Sequence, residues 1–177
     1  VRDYSLGRKP KDWDITTSAK PEEIQEVFPG SFYENKFGTV TILTESEDIA
    51  LKAIEITPFR IEGKYSDRRH PDEIKFAKTL KEDLSRRDFT INAMAIKQDK
   101  VVDYFGGKED LENKIIKTVG DPDERFREDA LRIMRAVRLA AELDFGIEEK
   151  TAEAIKNNAE LIKEISVERI RDELVKI

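Results

Sequence analysis

No cysteine occurs in the 177 residues, so neither a disulfide nor a thiolate metal site is available, and a cytosolic protein is the expectation that follows. Histidine is nearly as scarce. The single one, His70, stands beside Asp67, Arg68, Arg69 and Pro71 without a second imidazole near it, and reads as a loop residue and not a metal ligand. No apolar run approaches the ~20 residues that cross a bilayer, and no basic start followed by an apolar stretch marks export. No membrane partner is expected. A basic excess is lacking too: the net charge is −6, so a nucleic-acid partner must meet a local basic patch or a part of the protein not included here. Internal repeats and low-complexity segments are absent.

Charge is what the chain has in quantity. Charged residues make up 40% of it against 38% hydrophobic, which favours exposed helices and a small sheet over a large interior. The length suits one full core, or a modest α/β domain followed by a helical extension.

Lys11-Asp12-Trp13-Asp14-Ile15-Thr16-Thr17 is rich in β-formers and reads as a short strand. Side chains two apart on a strand share a face, so Asp12 and Asp14 are expected together and Trp13 on the other side, toward a core. Two neighbouring carboxylates repel unless a cation lies between them, and hard oxygen ligands of this kind suit Mg²⁺. A solvated strand entrance is the plainer reading of the same residues.

Ahead of this run, Val1 to Leu6 reads as a helix ended by Gly7, and the non-initiator start is expected of a chain taken from something longer. A short helix follows from Pro21 to about Phe28, with its proline and acids in the first turn. Gly38 to Thr44 and Leu51 to Thr57 form a hairpin across an acidic turn. On the second run Glu55 shares a face with Ala53 and Thr57, amid apolar neighbours. Either a nearby Lys or Arg satisfies it, or it joins Asp12 and Asp14 as a third carboxylate.

Phe59 to Leu84 is polar and aperiodic and reads as a long loop. In the next stretch Ser85 is placed to cap a short buried helix through Phe89, Ile91, Ala93, Met94 and Ile96. Arg86, Arg87, Asp88 and Asn92 cluster at its start, where guanidiniums suit a triphosphate. Short strands near Val101 to Tyr104 and Ile115 to Val119 flank a small helix. Beyond Gly120-Asp121-Pro122 the pattern is purely helical, which places a domain boundary there. Glu124 to Leu143 sets Phe126, Ala130, Ile133, Met134, Val137 and Ala141 in one stripe closed by Gly146, and helices follow at about Glu148 to Asn158 and Ser166 to Ile177.

Five motifs fall in order along the chain: Val1-Arg2-Asp3; Gly7-Arg8 before Asp12-x-Asp14; Arg86-Arg87-Asp88-Phe89-Thr90-Ile91-Asn92-Ala93; Gly106-Gly107-x-x-Asp110-Leu111; and Glu128-Asp129-x-x-Arg132. Together they resemble the class II tRNA nucleotidyltransferases, the CCA-adding enzymes, with bacterial poly(A) polymerases as close relatives. The resemblance implies a polymerase-β-like nucleotidyltransferase head, a small mixed sheet flanked by helices, over 1–120, and an all-α neck that selects the nucleotide over 121–177. It implies two Mg²⁺ ions held by Asp12 and Asp14, with Glu55 as the candidate further acid, and CTP, ATP and a tRNA 3′ end as substrates. The nucleotide-binding set it implies is Arg2, Asp3, Arg86, Arg87, Asp88, Asn92, Asp129, Arg132 and Arg135. The stretch from Gly63 to Leu80 resembles the family's flexible loop, linked with the passage from C to A addition, which favours CCA addition over the alternatives of A addition or poly(A) synthesis.

Two departures from the family pattern stand out. The pair of glycines that precedes Val-Arg-Asp on a first strand is not in this sequence, and neither are the body and tail that grip tRNA. A catalytically incomplete fragment is therefore an alternative. A regulatory nucleotide-binding domain and a structural tRNA-binding module are readings from other classes, opposed respectively by the intact carboxylates and by the acidic balance.

Asp129 and Arg132 are three apart on the strongest helical pattern, so they are expected on one face as a carboxylate acceptor beside guanidinium donors. Cytosine and adenine match that pair, whereas uracil and guanine reverse it. An intrahelical salt bridge is the competing reading.

Overall fold

The computed structural model describes residues 1–34, 38–63, 65 and 74–177. In order the elements are helix α1 (Arg2–Ser5), strand β1 (Asp14–Thr17), α2 (Pro21–Val27), β2 (Phe32–Glu34), β3 (Thr39–Leu43), β4 (Ala53–Pro58), β5 (Arg60–Glu62), β6 (Ile74–Phe76), α3 (Leu80–Ser85), β7 (Met94–Lys97), β8 (Lys100–Asp103), α4 (Gly107–Glu112), β9 (Ile115–Ile116), α5 (Pro122–Glu128), α6 (Leu131–Leu143), β10 (Gly146–Ile147), α7 (Glu149–Asn157) and α8 (Val167–Leu174). They form two compact units: one takes Asp3–Glu62 and Ile74–Asp83, and the other takes Leu84–Ile177 together with Val1, Arg2, Gly63 and Tyr65. Among the described residues no helix is long and apolar enough to cross a membrane.

The first unit is built on a mixed sheet of order β1-β4-β3-β2, with β1 parallel to β4 and the other pairs antiparallel. Strict alternation divides its two faces. Val40 lies opposite Ile56 and Ile42 opposite Ile54, and this apolar face packs on Ile24 of α2. On the opposite face Asp14 is in register with Glu55, and Thr16 with Thr57, whose hydroxyl is 3.2 Å from that of Thr39. Helix α2 starts where the sequence places it, its Glu23 carboxylate accepting the Lys20 N–H at 2.7 Å. Gly7 ends α1 at φ +68°, where its N–H reaches the Tyr4 carbonyl.

Three expectations for this unit need correction. Regular pairing begins at Asp14, so no strand alternation carries Asp12 to the side of Asp14. Trp13 is 40% exposed and not in a core. The polar stretch after Phe59 is not all loop: β5 and β6 form an antiparallel pair with Arg60 opposite Phe76, and α3 follows. Short polar strands escape a periodicity reading because too few residues alternate. His70 and the rest of 66–73, with residue 64, lie outside the described residues.

In the second unit the segment after Ser85 is not a helix. Ser85 ends α3; Thr90–Asn92 make a single 3₁₀ turn, and β7 follows, paired with β8. Phe89, Ile91 and Ala93 are wholly buried, as expected, but on an extended chain and one turn. The anticipated helix from Glu124 to Leu143 is two helices broken at Asp129, whose φ of −142° is extended. The break shifts the buried stripe of α6 to Ile133, Ala136, Leu139 and Leu143, leaving Val137 at 45% exposure, and Asp144 in the left-handed conformation ends the helix in place of Gly146. Helices α7 and α8 lie where the sequence puts them. The composition change at Gly120 is not where the compact units divide: β9 pairs with β10 across it, and the Thr118 N–H bonds the Thr151 hydroxyl at 3.4 Å.

Gly106 and Gly107 have different reasons to be glycine. Gly106 sits at φ +78° ahead of α4, whose first N–H groups are accepted by the Asp103 carboxylate, while a Cβ on Gly107 would lie 2.1 Å from the Thr90 carbonyl oxygen. Gly107→Ala should therefore cost about 3 kcal/mol by overpacking, and Gly106→Ala, with open space around it, only about 1 kcal/mol of backbone strain. Urea unfolding followed by circular dichroism measures both; equal losses would show that the contact with Thr90 is not what excludes a side chain.

Candidate functional site

Within the first unit the parallel pairing of β1 with β4 sets Asp14 directly against Glu55, and both side chains are exposed. Among the described residues neither carboxylate, nor that of Asp12, has an ion-pair partner, so the charge expected to be costly on β4 is solvated at a sheet surface. No group of three acidic or histidine side chains is close enough to hold a metal among the described residues. The donor set at this face is a carboxylate pair. That fits Mg²⁺, which takes one or two carboxylates and completes its shell with water and substrate phosphates. Asp3, at the start of this unit, lies in α1 and its carbonyl accepts the Arg8 N–H at 2.8 Å.

The second unit gathers most of the other predicted residues. Asp88 is 9% exposed and its carboxylate is surrounded by donors: the Phe89 N–H at 2.8 Å, the Asn92 amide at 3.1 Å, and Arg135 through Nε at 2.8 Å and Nη2 at 2.6 Å. Burial pushes this carboxyl up, but the Arg135 guanidinium and these hydrogen bonds outweigh it and hold it below the usual carboxylate range. Four donors fill the capacity of a carboxylate, so a sugar hydroxyl reaches Asp88 only by displacing one. Asn92 in turn accepts from Arg2 at 3.0 Å. Arg86 offers its backbone carbonyl to Arg132 at 3.4 Å, and Arg87 closes the turn after α3 with its N–H on the Leu84 carbonyl.

Asp129 and Arg132 do not share a helix face. Asp129 lies in the break between α5 and α6, accepts the Leu131 N–H at 3.0 Å, and pairs with Arg169 of α8 at 3.1 Å. Arg132, 8% exposed, turns to Glu128 at 2.5 Å and also donates to the Arg125 carbonyl. Tyr65 lies under its guanidinium, 6.0 Å from ring centroid. The ion pair of Arg132 is thus with Glu128, one turn back, and not with Asp129.

Sequence reasoning assigned no role to Glu128, Arg138, Arg169 or Glu173. Glu173 is 3% exposed, pairs with Arg138 at 2.5 Å and lies 3.8 Å from Arg135. Burial raises its carboxyl, and Arg138 and Lys176 more than reverse that. Spacing was a signal for one of these pairs, since Glu128 and Arg132 are four apart; Arg169 with Asp129 and Glu173 with Arg138 pair between helices, where spacing gives none.

Residues 1–117 match the family model described as the poly A polymerase head domain, and 144–177 match that of the probable RNA and SrmB-binding site of polymerase A. All of the chain aligns with 44% of the CCA-adding enzyme of Lactobacillus helveticus at 55% identity. The Bacillus stearothermophilus CCA-adding enzyme solved in complex with CTP is similar over 99% of this chain and 41% of that one, with a TM-score of 0.86 and 44% identity. The Thermotoga maritima CCA-adding enzyme complexed with tRNA gives 0.77 and 32% over 99% of this chain and 40% of that one. The chain spans less than half the length of these relatives.

Because the folded-state carboxyl of Asp88 is lowered, its contribution to stability is full above the ordinary carboxylate value and is lost as pH falls through the lowered one. Arg135→Ala leaves burial opposed only by Asn92 and Phe89. With a third of the arginine exposed, the loss at neutral pH should be near the low end for a broken buried pair, about 3 kcal/mol. The acid limb of the stability curve should move to higher pH. Urea unfolding across acid pH tests this, and an unmoved acid limb would show that Arg135 does not neutralise Asp88.

Proposed function

The chain belongs to the poly A polymerase head-domain family, and from that membership we propose that the protein adds C and A nucleotides to the 3′ end of tRNA, without a nucleic-acid template, from CTP and ATP. The observation that carries the chemistry is the exposed pair of Asp14 and Glu55 on adjacent strands, without a cation partner among the described residues. Asp14 with Glu55 would hold Mg²⁺ at this face, and Asp12, two residues before Asp14 in the motif, is the further carboxylate that the family reading brings to it. Bound there, the metal supplies a lowered pKa for the attacking 3′-hydroxyl and neutralises the pyrophosphate that leaves. The segment 1–120 is the catalytic head and 121–177 the nucleotide-selecting neck in this reading; the head-domain model that matches 1–117 supports the first of these.

The nucleotide's sugar and phosphates fall to Arg2, Asp3, Arg86, Arg87, Asp88, Asn92 and Arg135. Guanidiniums neutralise the triphosphate, and Asp88 with Asn92 orients the ribose by exchanging one of its present donors for a sugar hydroxyl. The base falls to Asp129 and Arg132. A carboxylate accepts the amino group of cytosine N4 or adenine N6, and a guanidinium donates to the adjacent ring nitrogen. Uracil and guanine reverse donor and acceptor and would leave buried polar groups unpaired, a mismatch that gives large discrimination. The pairs with Glu128 and Arg169 hold the two reading groups while no base is bound.

Asp14→Asn removes one charge at constant shape, so CMP incorporation into tRNA lacking its 3′ end should fall by about 10²-fold or more in the full-length protein, with the circular dichroism spectrum unchanged. Incorporation at the parental rate would remove Asp14 from the metal site. Asp129→Ala combined with Arg132→Ala should let UTP and GTP compete measurably with CTP. A folded, active double variant that still excludes both nucleotides would refute the readout.

A further inference from the structure

Asp83 is a carboxylate outside every residue given a role above, and it is fully buried, at 0% exposure. Such a group persists in an interior only when its oxygens are hydrogen-bonded. One oxygen accepts the Thr16 hydroxyl at 3.4 Å and the other the backbone N–H of Arg60 at 3.2 Å. Thr16 lies on β1 two residues from Asp14, hence on the same face, and is in register with Thr57 just as Asp14 is with Glu55. Arg60 begins β5, reached from β4 through Phe59, whose N–H bonds the Thr17 carbonyl at 2.6 Å. The Asp83 carboxylate therefore joins the acid-bearing strand to the chain that leaves its neighbour, one pleat from the Asp14–Glu55 pair.

Strand β1 needs such a tie. It is four residues long and stands at the edge of its sheet, so β4 is its only strand neighbour among the described residues. An edge strand held on one side by a short parallel ladder has little to fix its register. A shift of a fraction of a residue there would carry Asp14 away from Glu55.

We propose that Asp83 is a positioning residue: by holding Thr16 and the Arg60 N–H it sets the Asp14 carboxylate against Glu55, in the geometry that binds a divalent cation. The inference rests on the reading of Asp14 as a metal-binding carboxylate. It assigns Asp83 no contact with metal or substrate.

The test uses Mn²⁺ alone as the probe, in the full-length protein without nucleotide, with free Mn²⁺ counted by electron paramagnetic resonance and amide exchange followed at Ile15, Thr16 and Thr17. Asp83→Ala and Thr16→Val should each raise the Mn²⁺ dissociation constant, and speed exchange on β1, by about tenfold, the effect of losing a hydrogen bond to a charged group. Asp83→Asn, which can still accept from Arg60 and meet the Thr16 hydroxyl, should stay within about threefold of the parent, as should Thr16→Ser. The double variant should be no weaker than Asp83→Ala alone, since that change already removes the bond that Thr16→Val removes. Normal affinity and exchange in Thr16→Val, or additive losses in the double variant, would overturn the proposal. Should Asp83→Ala fail to fold, Thr16→Val, which keeps the side chain's shape, decides. An unaltered protein that binds no Mn²⁺ overturns the metal reading of Asp14, while exchange in Thr16→Val still decides whether Asp83 holds β1.

Discussion

Burying the Asp88 carboxylate against Arg135 is the constraint that orders the second unit. A lone carboxylate at that depth would be protonated or would unfold its surroundings, so its four donors must arrive from fixed places. Arg135 arrives from α6, Asn92 from the 3₁₀ turn, and the Phe89 N–H from the chain beside it. Each of those donors is itself held. Asn92 accepts from Arg2, Arg135 lies beside Glu173 of α8, and Glu173 is bonded to Arg138. The conformation of Asp88 to Ile91 follows: Phe89 and Ile91 turn into the core, Asp88 meets Arg135 of α6, and the Thr90 hydroxyl donates to Asp110 of α4 at 2.7 Å.

The carboxylates of this protein fall into two physical kinds. Asp83, Asp88 and Glu173 are buried and supplied with donors, which is the condition for keeping a charge inside a protein. Asp12, Asp14 and Glu55 are exposed, two of them in register on adjacent strands, and among the described residues no Lys or Arg answers them. Exposed and solvated, such a pair needs no partner inside the protein and stays open to a cation from outside, which is why the reading proposed above takes the exposed acids as ligands and the buried ones as structure.

The break at Asp129 shows how a small change of backbone alters a functional reading. An uninterrupted helix would set Asp129 and Arg132 side by side. With Asp129 extended, it bonds the Leu131 N–H at the start of α6 and turns its carboxylate to Arg169, while Arg132 reaches back one turn to Glu128. On the reading proposed above, nucleotide selection would require an exchange of partners at both groups, since each already holds an opposite charge. The residues of the motif are unchanged by this; their neighbours are not.

The sequence by itself determined the elements whose causes are local. Gly7 ends a helix because the chain there needs a left-handed residue, Pro21 and Glu23 start one, and alternating Val40, Ile42, Ile54 and Ile56 make a hairpin with one greasy face. It also determined the order of the motifs, and with it the family. Only the tertiary structure decided that Phe89 and Ile91 lie on a turn and an extended chain, that α5 and α6 part at Asp129, and which carboxylates are paired. Burial alone does not distinguish a helix from a strand over five residues, and an ion pair between residues 40 apart, as Arg169 and Asp129 are, or 47 apart, as Arg135 and Asp88 are, is set by how elements pack. No spacing along the chain encodes that packing, because the attraction between two charges depends on distance through space and on the water excluded around them.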